Sequence, residues 1–119
     1  MEIVDIGVLK KSFMDFLLPS EFAVESLYYC PQFGHFYCNE KYSIDRNYLD
    51  MCLMIYVCEG ALEVETRNKS VTVLENQIAL IDCRYPHRYY CTNGVDFLWF
   101  HFKGNSSIAY TEYLFQRFG

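Results

Sequence analysis

From Phe22 onward, apolar and polar residues alternate along the chain, and turn-forming residues break the alternation at short intervals. A period of two sends successive side chains to opposite faces of an extended strand, so the pattern commits this region to antiparallel β-structure. The segments that fit are Ala23 to Tyr29, Phe36 to Cys38, Met51 to Cys58, Ala61 to Thr66, Ser70 to Leu74, Gln77 to Asp82, His87 to Tyr90 and Val95 to Phe102. Seven or eight short strands predict an all-β sandwich or barrel. Glu59-Gly60 and Asn68-Lys69 supply turns, and Asn93-Gly94 is the strongest hairpin signal, because both residue types accept positive φ at little cost. The strand MCLMIYVC is apolar on both parities and reads as covered on both faces. ALEVET alternates, with Leu62 and Val64 inward and Glu63 and Glu65 toward water.

Both ends depart from this pattern. VLKKSFMDFLLP reads as a short amphipathic turn or helix stopped by Pro19, leaving residues 1–19 as an N-terminal arm. After Gly104 the period lengthens, and Asn105 or Ser106 can cap a helix through SIAYTEYLFQRF before Gly119. The expected organisation is an arm over 1–19, a β domain over 20–104 and a C-terminal helix over 105–119. At 119 residues the chain suits one domain with a single core.

Ten Lys plus Arg against fifteen Asp plus Glu give a net charge of -5 with no basic run, so this chain is a poor match for a phosphate backbone. No apolar stretch is long enough to span a bilayer, and the N-terminus lacks a signal-peptide pattern; the expected location is cytoplasmic, away from membranes. The six cysteines include no CxxC pair, and their apolar neighbours predict buried free thiols.

The stretch Pro86 to Gly104 holds two of the three histidines and the single tryptophan. By period two, Phe97, Trp99 and His101 share one face, and His87 shares a face with Tyr89. If the Asn93-Gly94 turn pairs the two strands, these five side chains converge as stacking surfaces with hydrogen-bonding tips, the make-up of a pocket for a small polar molecule. Aromatic residues on neighbouring strands are also ordinary core, and periodicity does not separate the two. Arg46, in the polar stretch SIDRNYLD, is a candidate buried cation, although an arginine in such a loop more commonly lies at the surface. The chain has no HxH, HExxH, GxSxG or phosphate-cradling glycine loop, and neither Cys83 nor Cys91 is spaced to pair with His87. The expectation is a protein that is not an enzyme, with no catalytic residue, no metal and no cofactor.

In order, the chain offers Arg46 in a polar stretch, MIYVCEG ending in a glycine turn, a hairpin, LENQIALIDCRYPHRYY, and LWFHFKG. From about Tyr37 to Gly104, a little over half the chain, this series resembles the cupin-like effector-binding and dimerisation domain of AraC-type transcriptional regulators. The resemblance implies a cupin-like antiparallel barrel of jelly-roll type followed by an α-helix. It also implies a homodimer with a small-molecule effector, a carbohydrate among the candidates, and DNA contact only through helix-turn-helix units beyond Gly119. In the family's arabinose-responsive member the sugar site uses an arginine, a tyrosine, a histidine and a tryptophan. These positions match Arg46, Tyr89, Phe97 and Trp99 here, with His87 and His101 as candidate replacements for the histidine that Phe97 displaces. Asn76-Gln77 stands where the family has glycine-aspartate. Metal-binding cupins carry an HxH and a glutamate on the first long strand and a later histidine; only His87 remains of that set, so the resemblance argues against a metallo-enzyme.

Overall fold

The alternation resolves into two facing β-sheets in the computed structural model, which describes residues 5–118. Residues 1–4 of the expected arm and Gly119 of the expected helix end lie outside the described residues. The elements in chain order are β1 (Phe13–Phe16), α1 (Glu21–Ser26), β2 (Tyr29–Cys38), β3 (Ser43–Arg46), β4 (Cys52–Gly60) and β5 (Leu62–Thr66). There follow β6 (Lys69–Val73), β7 (Ile78–Asp82), β8 (His87–Tyr90), β9 (Val95–Lys103) and α2 (Ser107–Phe118). One sheet has the order β1-β2-β9-β4-β7 and the other β3-β8-β5-β6, with antiparallel pairing throughout.

The expected closed barrel is corrected to an open sandwich. No strand pairing joins the two sheets among the described residues. The connections explain this arrangement: most of them carry the chain across to the opposite layer, and only β1 to β2 and β5 to β6 stay within one sheet. The Asn93-Gly94 turn is one of the crossings. It leads from β8 in one sheet to β9 in the other, so the hairpin expected there does not form. The β5–β6 hairpin turns on Arg67-Asn68, both with positive φ, rather than on Asn68-Lys69.

Two elements near the N-terminus are the reverse of their expected type. FMDF is an edge strand, zipped antiparallel onto β2 from Phe13 opposite His35 to Phe16 opposite Gln32. Residues expected as the first strand begin instead with a short helix, because the Ser20 side chain accepts from the Ala23 amide and caps it. Ahead of β1, the Leu9 amide donates to the Tyr37 carbonyl, and the Asn39 amide donates to the Gly7 carbonyl. Residues 5–19 thus lie against the sheet edge.

The core fills the space between the layers. Leu53, Ile55 and Val57 from β4, Phe36 from β2 and Phe97 from β9 meet Leu62 and Val64 from β5 and Tyr89 from β8. The outer face of β4 is only half-covered, by α2, whose Thr111 hydroxyl donates to the Ser107 carbonyl and contacts the Cys52 sulfur at 3.5 Å. Arg67 ties the hairpin to this helix through paired bonds to Glu112 of 2.6 and 3.0 Å, its guanidinium 4.0 Å from the ring centroids of both Tyr85 and Phe115. All six cysteines are free; Cys38, Cys52, Cys83 and Cys91 are buried. No helix among the described residues is long and apolar enough to cross a membrane.

Gly34 on β2 fixes how closely β1 and the Trp99 ring approach one another. A Cβ at this position would lie 2.9 Å from two atoms of the Trp99 ring and would clash with the Phe13 carbonyl oxygen. Since the backbone oxygen cannot swing aside, Gly34→Ala is expected to destabilise the fold by about 1–3 kcal/mol, the usual cost of overpacking. The midpoint of urea unfolding measures this. An unchanged midpoint would mean that β1 detaches without loss.

Candidate functional site

Between the layers the side chains leave a cavity of about 180 Å³, walled by Arg46, Tyr42, Tyr89, Trp99, His101 and Gln32, among others, with Phe97 beneath. Period two and register explain its assembly. On β9, Phe97, Trp99 and His101 point inward; on β8, His87 and Tyr89 do the same from the opposite sheet. The β3–β8 register sets Arg46 beside His87 and Ile44 beside Tyr89, and the β2–β9 register sets Gln32 beside His101. Five of the six sequence-selected residues therefore share the cavity. His87 does not line it: the ring stacks behind Tyr89, with centroids 6.2 Å apart and planes at 10°.

Sequence reasoning missed Tyr42 and Gln32. Both were accessible to the period-two argument: Tyr42 shares parity with Ile44 and Arg46, and Gln32 with Gly34, Phe36 and Cys38. The signal is hidden because Ser43–Arg46 reads as a polar loop and residues 30–35 fall between the predicted strands Ala23 to Tyr29 and Phe36 to Cys38. Residues 5–19 also contribute, through Asp5 and Met14 in the cavity wall.

The polar atoms in and beside this cavity are unusually short of partners. Arg46 Nη1, Trp99 Nε1, His101 Nε2 and His87 Nε2 are buried and make no hydrogen bond, although buried polar groups are paired in the great majority of cases. None of the ion pairs among the described residues includes Arg46. His87 Nδ1 donates to the Tyr85 carbonyl at 2.9 Å and His101 Nδ1 donates to Gln32 Oε1 at 3.1 Å, so each Nε2 carries a free lone pair. Burial, then repulsion from Arg46 and His87, pushes the His101 imidazole down to about 4. Burial likewise lowers His87. The unpartnered atoms of the cavity wall are therefore two donors, one of them cationic, and the neutral imidazole acceptor of His101, with the Asp5 carboxylate also on the wall.

That shift has a consequence for stability. The unfolded chain protonates an ordinary imidazole near 6.5, whereas folded His101 resists protonation down to about 4. The unfolded state thus binds more protons between these values, and stability present above pH 6.5 is lost as pH falls toward 4, by about 3 kcal/mol for this group. His87 acts in the same direction. Because carboxylates also titrate in acid, the measurement compares urea midpoints of the parent and His101→Gln at about pH 7 and about pH 4.5. The variant is expected to lose less stability on acidification, and parallel losses would refute the assignment.

Away from the cavity, the structure corrects the expectation of a non-enzyme without metal ligands. His35 of β2, Cys58 of β4 and Asp96 of β9 bring their ligand atoms within 4.8 Å of one another. Such a set is capable of coordinating a metal ion, and a metal-bound water is a catalytic group, so a purely non-enzymatic role no longer follows. No sequence-local motif such as HxH marks the set, because its members come from three adjacent strands. The interior, by contrast, does not fit the ligand set of metal-binding cupins: His101 is the only histidine in the cavity wall, and a guanidinium stands beside it.

No family model matches the chain, and no curated protein does. Solved structures do. One is the Cupin_2 domain of an XRE family transcriptional regulator from Enterobacter cloacae, 13% identical over 79% of this chain and 98% of that one, with a TM-score of 0.58. Another is an HTH_3 family transcriptional regulator from Vibrio cholerae, 13% identical over 81% of this chain and 53% of its own, with a TM-score of 0.60. A cupin superfamily protein from Desulfitobacterium hafniense is 10% identical over 85% of this chain and 82% of its own, with a TM-score of 0.56. At these identities the likeness concerns the fold, which is a cupin-like, mostly β sandwich with a C-terminal helix.

Proposed function

We propose that the chain is a cupin-type small-molecule-binding domain whose interior cavity takes a small hydroxylated anion, such as a sugar acid or hydroxy acid. The observation that carries this reading is the set of unpartnered atoms on the cavity wall: Arg46 Nη1, Trp99 Nε1 and His101 Nε2. A carboxylate would accept from the two donors, and a hydroxyl would donate to the imidazole nitrogen. Phe97 and the Trp99 ring would supply apolar walls, and Tyr89 a further hydroxyl. At about 180 Å³ the space is below the range of drug-sized pockets, which favours a small metabolite.

The test is the melting temperature against a panel of neutral sugars, sugar acids, hydroxy acids and aromatic acids. A ligand that binds only the folded state at a hundred times its Kd adds about 2.7 kcal/mol, a rise of several degrees. A saturable rise confined to carboxylate-bearing polyols is the expected result. No rise across the panel would return the aromatic cluster to core packing.

A second reading extends the first: the domain is the sensing and dimerisation part of an AraC-type regulator. Two of the similar solved structures are regulators by name, and α2 keeps Ile108, Tyr110, Tyr113 and Phe118 exposed rather than buried within the subunit. In this reading residues 1–19 form an arm, residues 20–104 the effector-binding domain and residues 105–119 part of a two-fold contact, with DNA bound through helix-turn-helix units elsewhere in the protein. Ligand would act by its differential affinity for two arm or dimer arrangements. Asp5 and Met14 in the cavity wall give the arm a means of sensing occupancy.

A further inference from the structure

The outer face of the larger sheet carries a feature that the interior cavity does not use. On β9, Asp96 points away from the core between the inward Val95 and Phe97; on β2, His35 does so between Gly34 and Phe36. The two side chains are hydrogen-bonded to one another. Cys58 joins them from β4 at a register shift between Val57 and Glu59. Bulges of this kind re-aim a side chain and recur beside functional sites. The His35 ring is held by stacking on Tyr37, with centroids 4.5 Å apart and planes at 20°. Beside the cluster lies a surface groove of about 350 Å³ that includes Asp96, Tyr37, Lys11, Glu59 and Asn93 in its walls. Three different ligand types thus meet on adjacent strands at the edge of an accessible space.

We propose that His35, Cys58 and Asp96 bind one borderline-soft divalent cation of the zinc class on this outer face, with a fourth coordination position open to the groove. A thiolate and an imidazole disfavour magnesium and calcium, which take oxygen ligands, and favour zinc or cobalt. Neutral imidazole, carboxylate and thiolate together carry the two negative charges that balance a divalent ion. On binding, the Cys58 Sγ–H proton leaves to solvent as the sulfur–metal bond forms. His35 presents its Nε2 lone pair with its ring proton on Nδ1, and the hydrogen bond to Asp96 gives way to shared coordination. Three protein ligands leave room for water or for an oxygen of a small anion, and the Lys11 ammonium on the groove wall favours the anion. The site lies on the opposite face of the sheet from Arg46 and Trp99, so its occupancy is independent of the interior ligand.

The experiment is titration of the whole chain with Co²⁺ alone, followed by absorption. The expected result is a stoichiometric thiolate-to-cobalt charge-transfer band, with visible bands of four-coordinate intensity that shift on addition of azide. Cys58→Ser, nearly isosteric on a half-buried face, is expected to abolish the charge-transfer band, and Cys30→Ser to leave it intact. His35→Gln and Asp96→Asn are each expected to weaken binding by more than about tenfold, since even an outer-shell partner contributes that much. Circular dichroism of each variant verifies that it is folded. Absence of the band at stoichiometric Co²⁺, or a band that survives Cys58→Ser, overturns the site. Visible bands indifferent to azide overturn the open position.

Discussion

Arg46→Met is expected to raise the stability of the ligand-free domain and to abolish effector binding at the same time. A guanidinium nitrogen buried without a partner costs at least the desolvation of a polar group, about 1–3 kcal/mol. Methionine keeps the apolar stem of the side chain and removes the charge, and exchanging buried charge for well-packed apolar surface is often stabilising. The expected gain is therefore of that order, a rise of several degrees in melting temperature. Binding moves the other way. Truncating one partner of a buried charged pair costs about 2–5 kcal/mol, which weakens affinity by about thirtyfold to several thousandfold. Melting curves with and without the best ligand of the panel read both effects in one experiment. A variant that is less stable yet binds normally would make Arg46 a structural residue, held by contacts that matter more than its orphaned nitrogen.

How much of this was legible in the sequence depended on whether the signal was local. The parity of Phe97, Trp99 and His101, and of His87 and Tyr89, is a property of single strands, and the structure keeps it. What period two does not contain is which strands face which. The expected convergence relied on an Asn93-Gly94 hairpin; in fact β8 and β9 lie in opposite sheets, and the residues meet across the core instead. The same limit hid the His35, Cys58 and Asp96 cluster, whose members are close only because β2, β9 and β4 are neighbours. Near the N-terminus the failure was one of competing local signals: alternation in residues 23–29 outweighed the Ser20 cap, and FMDF is too short for either period to decide. The boundaries of α2 were readable because twelve residues give a helical repeat room to show.

Phe97→Ala is expected to be among the most destabilising core truncations, at about 3–5 kcal/mol. The ring is 1% exposed, and it packs 5.9 Å from the centroids of both Phe36 and Tyr42. Against a typical domain stability of about 5–15 kcal/mol this is a large fraction, and the urea midpoint should fall accordingly. Phe97→His provides the contrast, because under the proposed AraC-type reading this position would correspond to a sugar-contacting histidine. Without ligand, the imidazole would be one more buried polar group lacking a partner, so that variant should also lose stability. With a neutral polyol in the cavity, the imidazole gains a hydroxyl to bond, and part of the loss should return as a saturable rise in melting temperature that Phe97→Ala does not show. If instead Phe97→Ala costs under about 1 kcal/mol, the ring is a movable floor rather than core, and the cavity can accept a larger molecule than its resting volume suggests.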